Sequence, residues 1–172
     1  MPKVRTLSRT FLKGHPRAGE PTYFIEKVYN SLYPEQIRQL PKDFSNWHFA
    51  NQQNRGIANE FNKAITETKH HTIRMGRHFK ANDELTLAVW SGKPYHSMQV
   101  KLWTGPIRAA DILIHIDYYD DRKWLSLSPG HISIKELAKN DGLELMDFIQ
   151  WLNLPVGKHE AQILIWNPEI EY

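Results

Sequence analysis

The chain has 172 residues, 41% of them hydrophobic and 24% charged, which fits one folded domain with a proper core. It has no cysteine, which excludes disulfides, thiolate metal sites and cysteine nucleophiles. The net charge of +3 hides an asymmetry: residues 1–80 carry 14 Lys/Arg against 6 Asp/Glu, and residues 81–172 carry 8 against 13, so a positive region facing phosphate is expected.

In chain order, Val4–Leu7 is a short strand candidate. The stretch FLKGHPRAGEPT, Phe11–Thr22, has the prolines and glycines of a loop. In TYFIEKVYNSL, Phe24, Val28 and Leu32 fall at i, i+4 and i+8, the spacing of an amphipathic helix, with Pro21 expected in its first turn. Pro34 and Pro41 bracket a short helix or turn over Glu35–Leu40, and Phe44–Thr68 reads as interrupted helix. These segments form an N-terminal strand, loop and helical elaboration over 1–64.

After Lys69 the texture becomes β-favouring, with strands expected over Glu84–Trp90, Met98–Trp103, Asp111–Tyr118 and Ala161–Trp166 and a turn at SGKPY. Ser133 and Glu136 have capping-box spacing, so a helix starts there. Gly142 suits a left-handed end to it. Leu145, Phe148, Ile149 and Leu152 give a second helix with an apolar face. Strands closed around one core with helices between them predict an α+β barrel of five to six strands within a single domain, its core over 65–167. The N-terminus MPKVRTLSRTF has no continuous apolar segment and no apolar run reaches membrane-spanning length, so a soluble, cytoplasmic protein without membrane contact is expected.

The segment KHHTIRMGRHFK gathers Lys69, His70, His71, Arg74, Arg77, His78 and Lys80 at the front of a strand. Like charges so close repel, so the cluster is either a solvated basic edge or a site for something anionic or polar. Side chains alternate along a strand, so Lys69 and Thr72 converge only if Lys69 lies in the turn before it or at a bulge. The three histidines, and His115-x-Asp117, read as polar strand residues rather than metal ligands, since no third carboxylate is suitably spaced. No cofactor is expected. His15, Arg17 and Glu20 form a polar set on a loop long enough to cover a pocket. Trp90 and Tyr95 flank the SGKP turn; Trp90 reads as core, and Tyr95 is a candidate base-stacking residue.

These pieces, in this order, resemble the ASCH domain family, a branch of the PUA-like β-barrels associated with RNA and modified nucleobases. KHHTIR matches its Lys-x-x-Thr-x-Arg, and FKANDEL resembles its following Phe/Trp-Lys-x-Gly-Asp with Asn82 in place of the Gly. LAKNDGLELMDFIQWL resembles its helix–Asp-Gly–helix segment and AQILIW its closing strand. WSGKPYHSMQV and GHPRAGEPTYFIEK are similar to the versions in a longer, often phage- or prophage-associated subgroup. One branch of the family hydrolyses the amide of N4-acetylcytidine with a Lys, a Thr three residues later and a Glu in the helical segment. The resemblance carries these to Lys69, Thr72 and Asp141, the last being one methylene shorter than Glu.

The resemblance implies a module that binds RNA, single-stranded nucleic acid or a modified nucleoside, with Arg74, His71, His15, Arg17, Glu20 and Tyr95 as binding residues. The alternative it implies is an amidohydrolase with Lys69, Thr72 and Asp141 as catalytic residues, and ribonuclease activity is a weaker one. In the enzyme, burial and neighbouring cations would lower the lysine's pKa enough for it to act as a base. The plainer reading has a solvated Lys69, an ordinary strand Thr72, and Asp141 capping the second helix.

Overall fold

The architecture was taken from a computed structural model, in which residues 2–32, 67–119 and 122–172 are described. The segments expected over Glu35–Leu40 and most of Phe44–Thr68 lie outside them. In order, the elements are β1 (Lys3–Thr6), α1 (Phe24–Ser31), β2 (His71–Met75), β3 (Glu84–Trp90), β4 (Gln99–Pro106), β5 (Arg108–Tyr119), β6 (Arg122–Ser128), α2 (Ile134–Asn140), α3 (Leu145–Leu152) and β7 (Gly157–Ile165).

The strands pair into two sheets, one ordered β1-β3-β4 and the other β2-β7-β5-β6. β1 runs parallel to β3, and every other pair is antiparallel. Only Ile107 separates β4 from β5. Its N–H donates to the Asp83 carbonyl at 3.1 Å and its carbonyl accepts from Asn82 N–H at 3.0 Å. The chain therefore turns a corner from one sheet to the other there. The α+β class expected from the sequence is what forms; the pairing defines two sheets and does not by itself define one closed ring.

One apolar core joins the inner faces of both sheets with the helices, from Leu7 and Phe24 through Leu85, Leu87 and Ile114 to Phe148 and Ile163. α1 contributes Phe24, Ile25 and Val28, and α3 contributes the fully buried Phe148. Burial of a side chain of that size stabilises the fold by roughly 1.5–3 kcal/mol.

Two details depart from the expected elements. Pro21 lies ahead of α1, not in its first turn, because it bridges back to Thr10, while Thr22 Oγ1 donates to the Ser8 carbonyl at 2.7 Å. The loop is thus stitched to itself, and the helix begins only at Phe24, after Tyr23 in a left-handed conformation at φ 55°. β6 is an additional strand. Among its described side chains Leu125 and Leu127 face inward, a weak alternation that becomes a strand as the hairpin partner of β5.

The helix signals hold. The Ser133 hydroxyl accepts from Glu136 N–H at the start of α2, and Gly142 sits at φ 76° just past its end. Asn82 adopts φ 67°, a left-handed turn conformation that asparagine tolerates better than most residues.

Candidate functional site

Lys69 lies two residues before β2, in irregular chain outside the strand, so the strand's facing rule does not apply to it. Its backbone is fixed from two sides. Lys69 N–H donates to the Lys27 carbonyl of α1 at 2.9 Å, and His70 N–H donates to the Asn140 carbonyl at the end of α2 at 2.7 Å. Gly142 packs against the lysine stem: a Cβ there would stand 3.2 Å from Lys69 Cβ and 3.1 Å from Lys27 Cδ. The left-handed glycine therefore serves both the helix end and this close approach.

The side chain then runs inward. Lys69 Nζ donates to Asp141 Oδ1 at 2.7 Å and to the Asp141 carbonyl at 2.7 Å, and sits 4.2 Å from the centre of the Phe24 ring. Lys69 is 1% exposed and Asp141 2% exposed, so the plainer expectation of a solvated lysine does not hold. Asp141 also ends α2 as its C-terminal cap instead of capping α3, whose N-cap is Glu144. The shorter carboxylate reaches the lysine without strain, because the helix end brings its backbone alongside.

Burial dominates the electrostatics. It lowers the Lys69 pKa to about 8 from an ordinary 10.5, against the opposing pull of Asp141, with Arg74 and Lys27 lowering it further. Burial likewise pushes Asp141 upward, opposed by Lys69. Water is scarce around the pair, so both partners move toward their neutral forms. Burial also lowers Arg74, an effect that Asp141 opposes and Arg5 reinforces. Arg74 Nε is buried without a hydrogen-bond partner among the described residues.

His71 joins the pair from the start of β2, with Nε2 3.7 Å from Asp141 Oδ1. It is a buried group, not the surface strand histidine its sequence context suggested, because Tyr172 satisfies its other nitrogen from within. Its pKa falls well below the usual value through burial, with Lys69 and His70 adding to the effect. Thr72 is buried too, but alternation along β2 turns it away from His71. Among the described residues its hydroxyl forms no hydrogen bond to Lys69 or Asp141.

The Phe11–Thr22 loop docks on α3. Arg17 Nη1 bonds Asp147 Oδ2 at 2.7 Å and its Nε bonds Glu20 Oε2 at 2.7 Å. His15 Nδ1 accepts from Arg17 N–H at 3.1 Å, so its Nε2–H is free to donate to the Asp147 carbonyl at 3.2 Å. Between loop and helix lies a cavity of about 370 Å³ lined by Phe11, Arg17, Glu20, Lys27, Glu67 and Asp147, among others. Lys69, Thr72, Arg74 and Asp141 are not among its lining residues. Lys27 connects the two places, since it lines the cavity and donates to the Gly142 carbonyl, next to Asp141, at 2.7 Å.

Tyr95 is 87% exposed at the turn between β3 and β4, tilted against Trp90 at 5.3 Å and held at φ 63°. It belongs to the three-stranded sheet's hairpin, apart from the buried cluster. No group of three or more metal-ligating side chains occurs among the described residues, and no helix among them is long and apolar enough to cross a membrane.

Sequence reasoning missed Lys27, Asn140, Asp147 and Tyr172. Lys27 had a signal, because it stands three residues after Phe24 and so falls beside the apolar stripe of α1. Tyr172 and Asn140 had none, since their contacts span long stretches of chain. Comparison with protein-family models, with curated proteins and with solved structures returned no match.

Proposed function

We propose that this chain is a cytoplasmic, PUA-like protein of the ASCH type that takes a modified nucleobase and hydrolyses the amide of an N4-acylated cytidine or a similar nucleoside. The observation that carries this reading is the buried Lys69–Asp141 pair. A lysine titrating at about 8 is partly neutral at physiological pH and can act as a base, which an ordinary surface lysine cannot. The two sheets bent about one core at the Ile107 corner support the barrel part of the reading.

In this mechanism the neutral Lys69 amine removes a proton from a water molecule, because Thr72 is turned to the other face of β2. The oxygen adds to the acyl carbon. Lys69, now an ammonium held by Asp141, returns the proton to the N4 nitrogen as the C–N bond breaks. One water is consumed, and a free carboxylic acid and the unmodified nucleoside leave. Lys69 is 1% exposed, so substrate entry requires displacement of the side chains that cover it, Phe24 among them.

A second reading, a non-catalytic reader of RNA or of a modified base, is favoured by one observation. The Lys69 amine already has two Asp141 oxygens as partners. Of the basic cluster, Lys69 and His71 are buried and Arg77, His78 and Lys80 are exposed, while Arg17 on the loop is paired with Glu20 and Asp147.

Incubation of the purified chain with N4-acetylcytidine and related acylated nucleosides, read by chromatography, tests the enzyme. Turnover is expected from the wild type and not from Lys69→Met. Binding of the nucleosides without hydrolysis would leave the reader in its place.

A further inference from the structure

We infer that His71 donates the hydrogen bond to the amide carbonyl oxygen at this site, and that Tyr172 is a positioning residue that fixes the tautomer His71 needs; this rests on the amidohydrolase reading above. The inference starts at the far end of the chain of contacts. Asn140 Nδ2 donates to Tyr172 Oη at 3.1 Å. The phenol therefore directs its own proton to its other partner, His71 Nδ1, with which it makes a short hydrogen bond. The phenol keeps that proton, because burial raises its pKa above the usual tyrosine value. An imidazole that accepts at Nδ1 carries its hydrogen at Nε2.

That Nε2–H has nowhere to go. His71 is 0% exposed, and its Nε2 is buried with no hydrogen-bond partner among the described residues. The nearest acceptor, Asp141 Oδ1, stands 3.7 Å away, beyond hydrogen-bond range, and already receives Lys69. Buried donors are almost always satisfied in folded proteins, so an orphan one beside a buried ion pair marks the place of a missing acceptor.

The acceptor that fits is a carbonyl oxygen. Lys69 Nζ and His71 Nε2 lie 2.7 and 3.7 Å from the same Asp141 oxygen, so base and donor are neighbours around one carboxylate oxygen. A neutral imidazole adds no second cation beside Lys69. Its hydrogen bond strengthens as the carbonyl oxygen gains negative charge during attack, which is when stabilisation accelerates a reaction.

Two measurements test this independently. Nitrogen-15 NMR of the ligand-free chain is expected to show His71 as the neutral Nε2–H tautomer, with Tyr172→Phe moving the population toward Nδ1–H; a wild-type Nδ1–H tautomer overturns the inference. In hydrolysis of N4-acetylcytidine, His71→Ala is expected to lower kcat by roughly 10²–10³-fold with KM little changed, as for loss of one oxyanion donor. His71→Gln, which keeps an N–H donor, is expected to recover part of that loss, and Tyr172→Phe is expected to lower kcat less than His71→Ala. A folded His71→Ala protein with unchanged kcat overturns the donor role. If the wild type hydrolyses no acylated nucleoside, the amidohydrolase reading fails, and titration with N4-acetylcytidine then decides the donor. A shifted His71 Nε2 resonance supports it, and an unmoved one overturns it.

Discussion

Lys69 and Asp141, 72 residues apart in the chain, meet at 2.7 Å with both side chains almost wholly removed from water. Such a pair is held by geometry, because the desolvation of both charges opposes it and only close, well-directed contacts offset that cost. Removal of one partner leaves the other stranded. Asp141→Asn and Lys69→Met are each expected to destabilise the fold by about 3–5 kcal/mol, measured by denaturant unfolding. The double replacement Lys69→Met with Asp141→Leu is expected to recover much of the loss, which separates stability from activity. Neither Lys69 variant is expected to retain hydrolysis, with a loss of at least about 10²–10⁴-fold for the missing base.

Lys69→Arg separates charge from basicity. Guanidinium keeps the positive charge beside Asp141 but does not release a proton at any accessible pH. A folded Lys69→Arg protein with no turnover is expected. Wild-type rates from this variant would rule out Lys69 as the base.

Asp141→Glu installs the carboxylate of the N4-acetylcytidine-hydrolysing branch that the sequence resembles, yet reach is not limiting here, since the aspartate already contacts Lys69 at 2.7 Å. The added methylene enters a closed site, and overpacking of about 1–3 kcal/mol is expected. Thermal melting that shows a lowered Tm without a gain in rate is the expected result.

The pH dependence follows from Lys69. In the proposed mechanism its neutral form is the active one, so kcat/KM is expected to rise about tenfold per unit below pH 8 and to level off above it. The same titration acts on stability. The folded value of about 8 lies below the ordinary 10.5, so between them the unfolded chain binds more protons. Stability contributed by Lys69 therefore increases as pH rises through that window and is absent below it. A rate still climbing steeply at pH 9–10 would show that the lysine is not depressed.

Gly142→Ala tests the helix end. At φ 76° an alanine is strained by about 1–2 kcal/mol, and its Cβ would press on Lys69 Cβ at 3.2 Å and the Thr68 carbonyl at 3.3 Å. A destabilised protein with a displaced lysine, and so reduced turnover, is expected; unfolding and rate measurements on the same sample read both.

Local signals were legible where short-range chemistry decides the outcome. The capping pair Ser133 and Glu136, the left-handed Gly142, the apolar spacing of α1 and the β-favouring run Glu84–Trp90 each depend on residues within a few positions of one another, and each forms as read. The candidate pair Lys69 and Asp141 came from a resemblance in motif order, and the charge crowding of KHHTIR only marked the segment as unusual. Tertiary structure alone decided that the crowding is turned inward. Whether a lysine is solvated or buried depends on what packs over it, here Phe24, Gly142 and the end of α2, and no local pattern encodes that. The same holds for His71, which burial keeps neutral and which meets Tyr172, and through it Asn140, from distant parts of the chain. Residue types and spacing determined which groups were available; the dielectric around them, and so their protonation and chemistry, was determined by long-range contacts that exclude water.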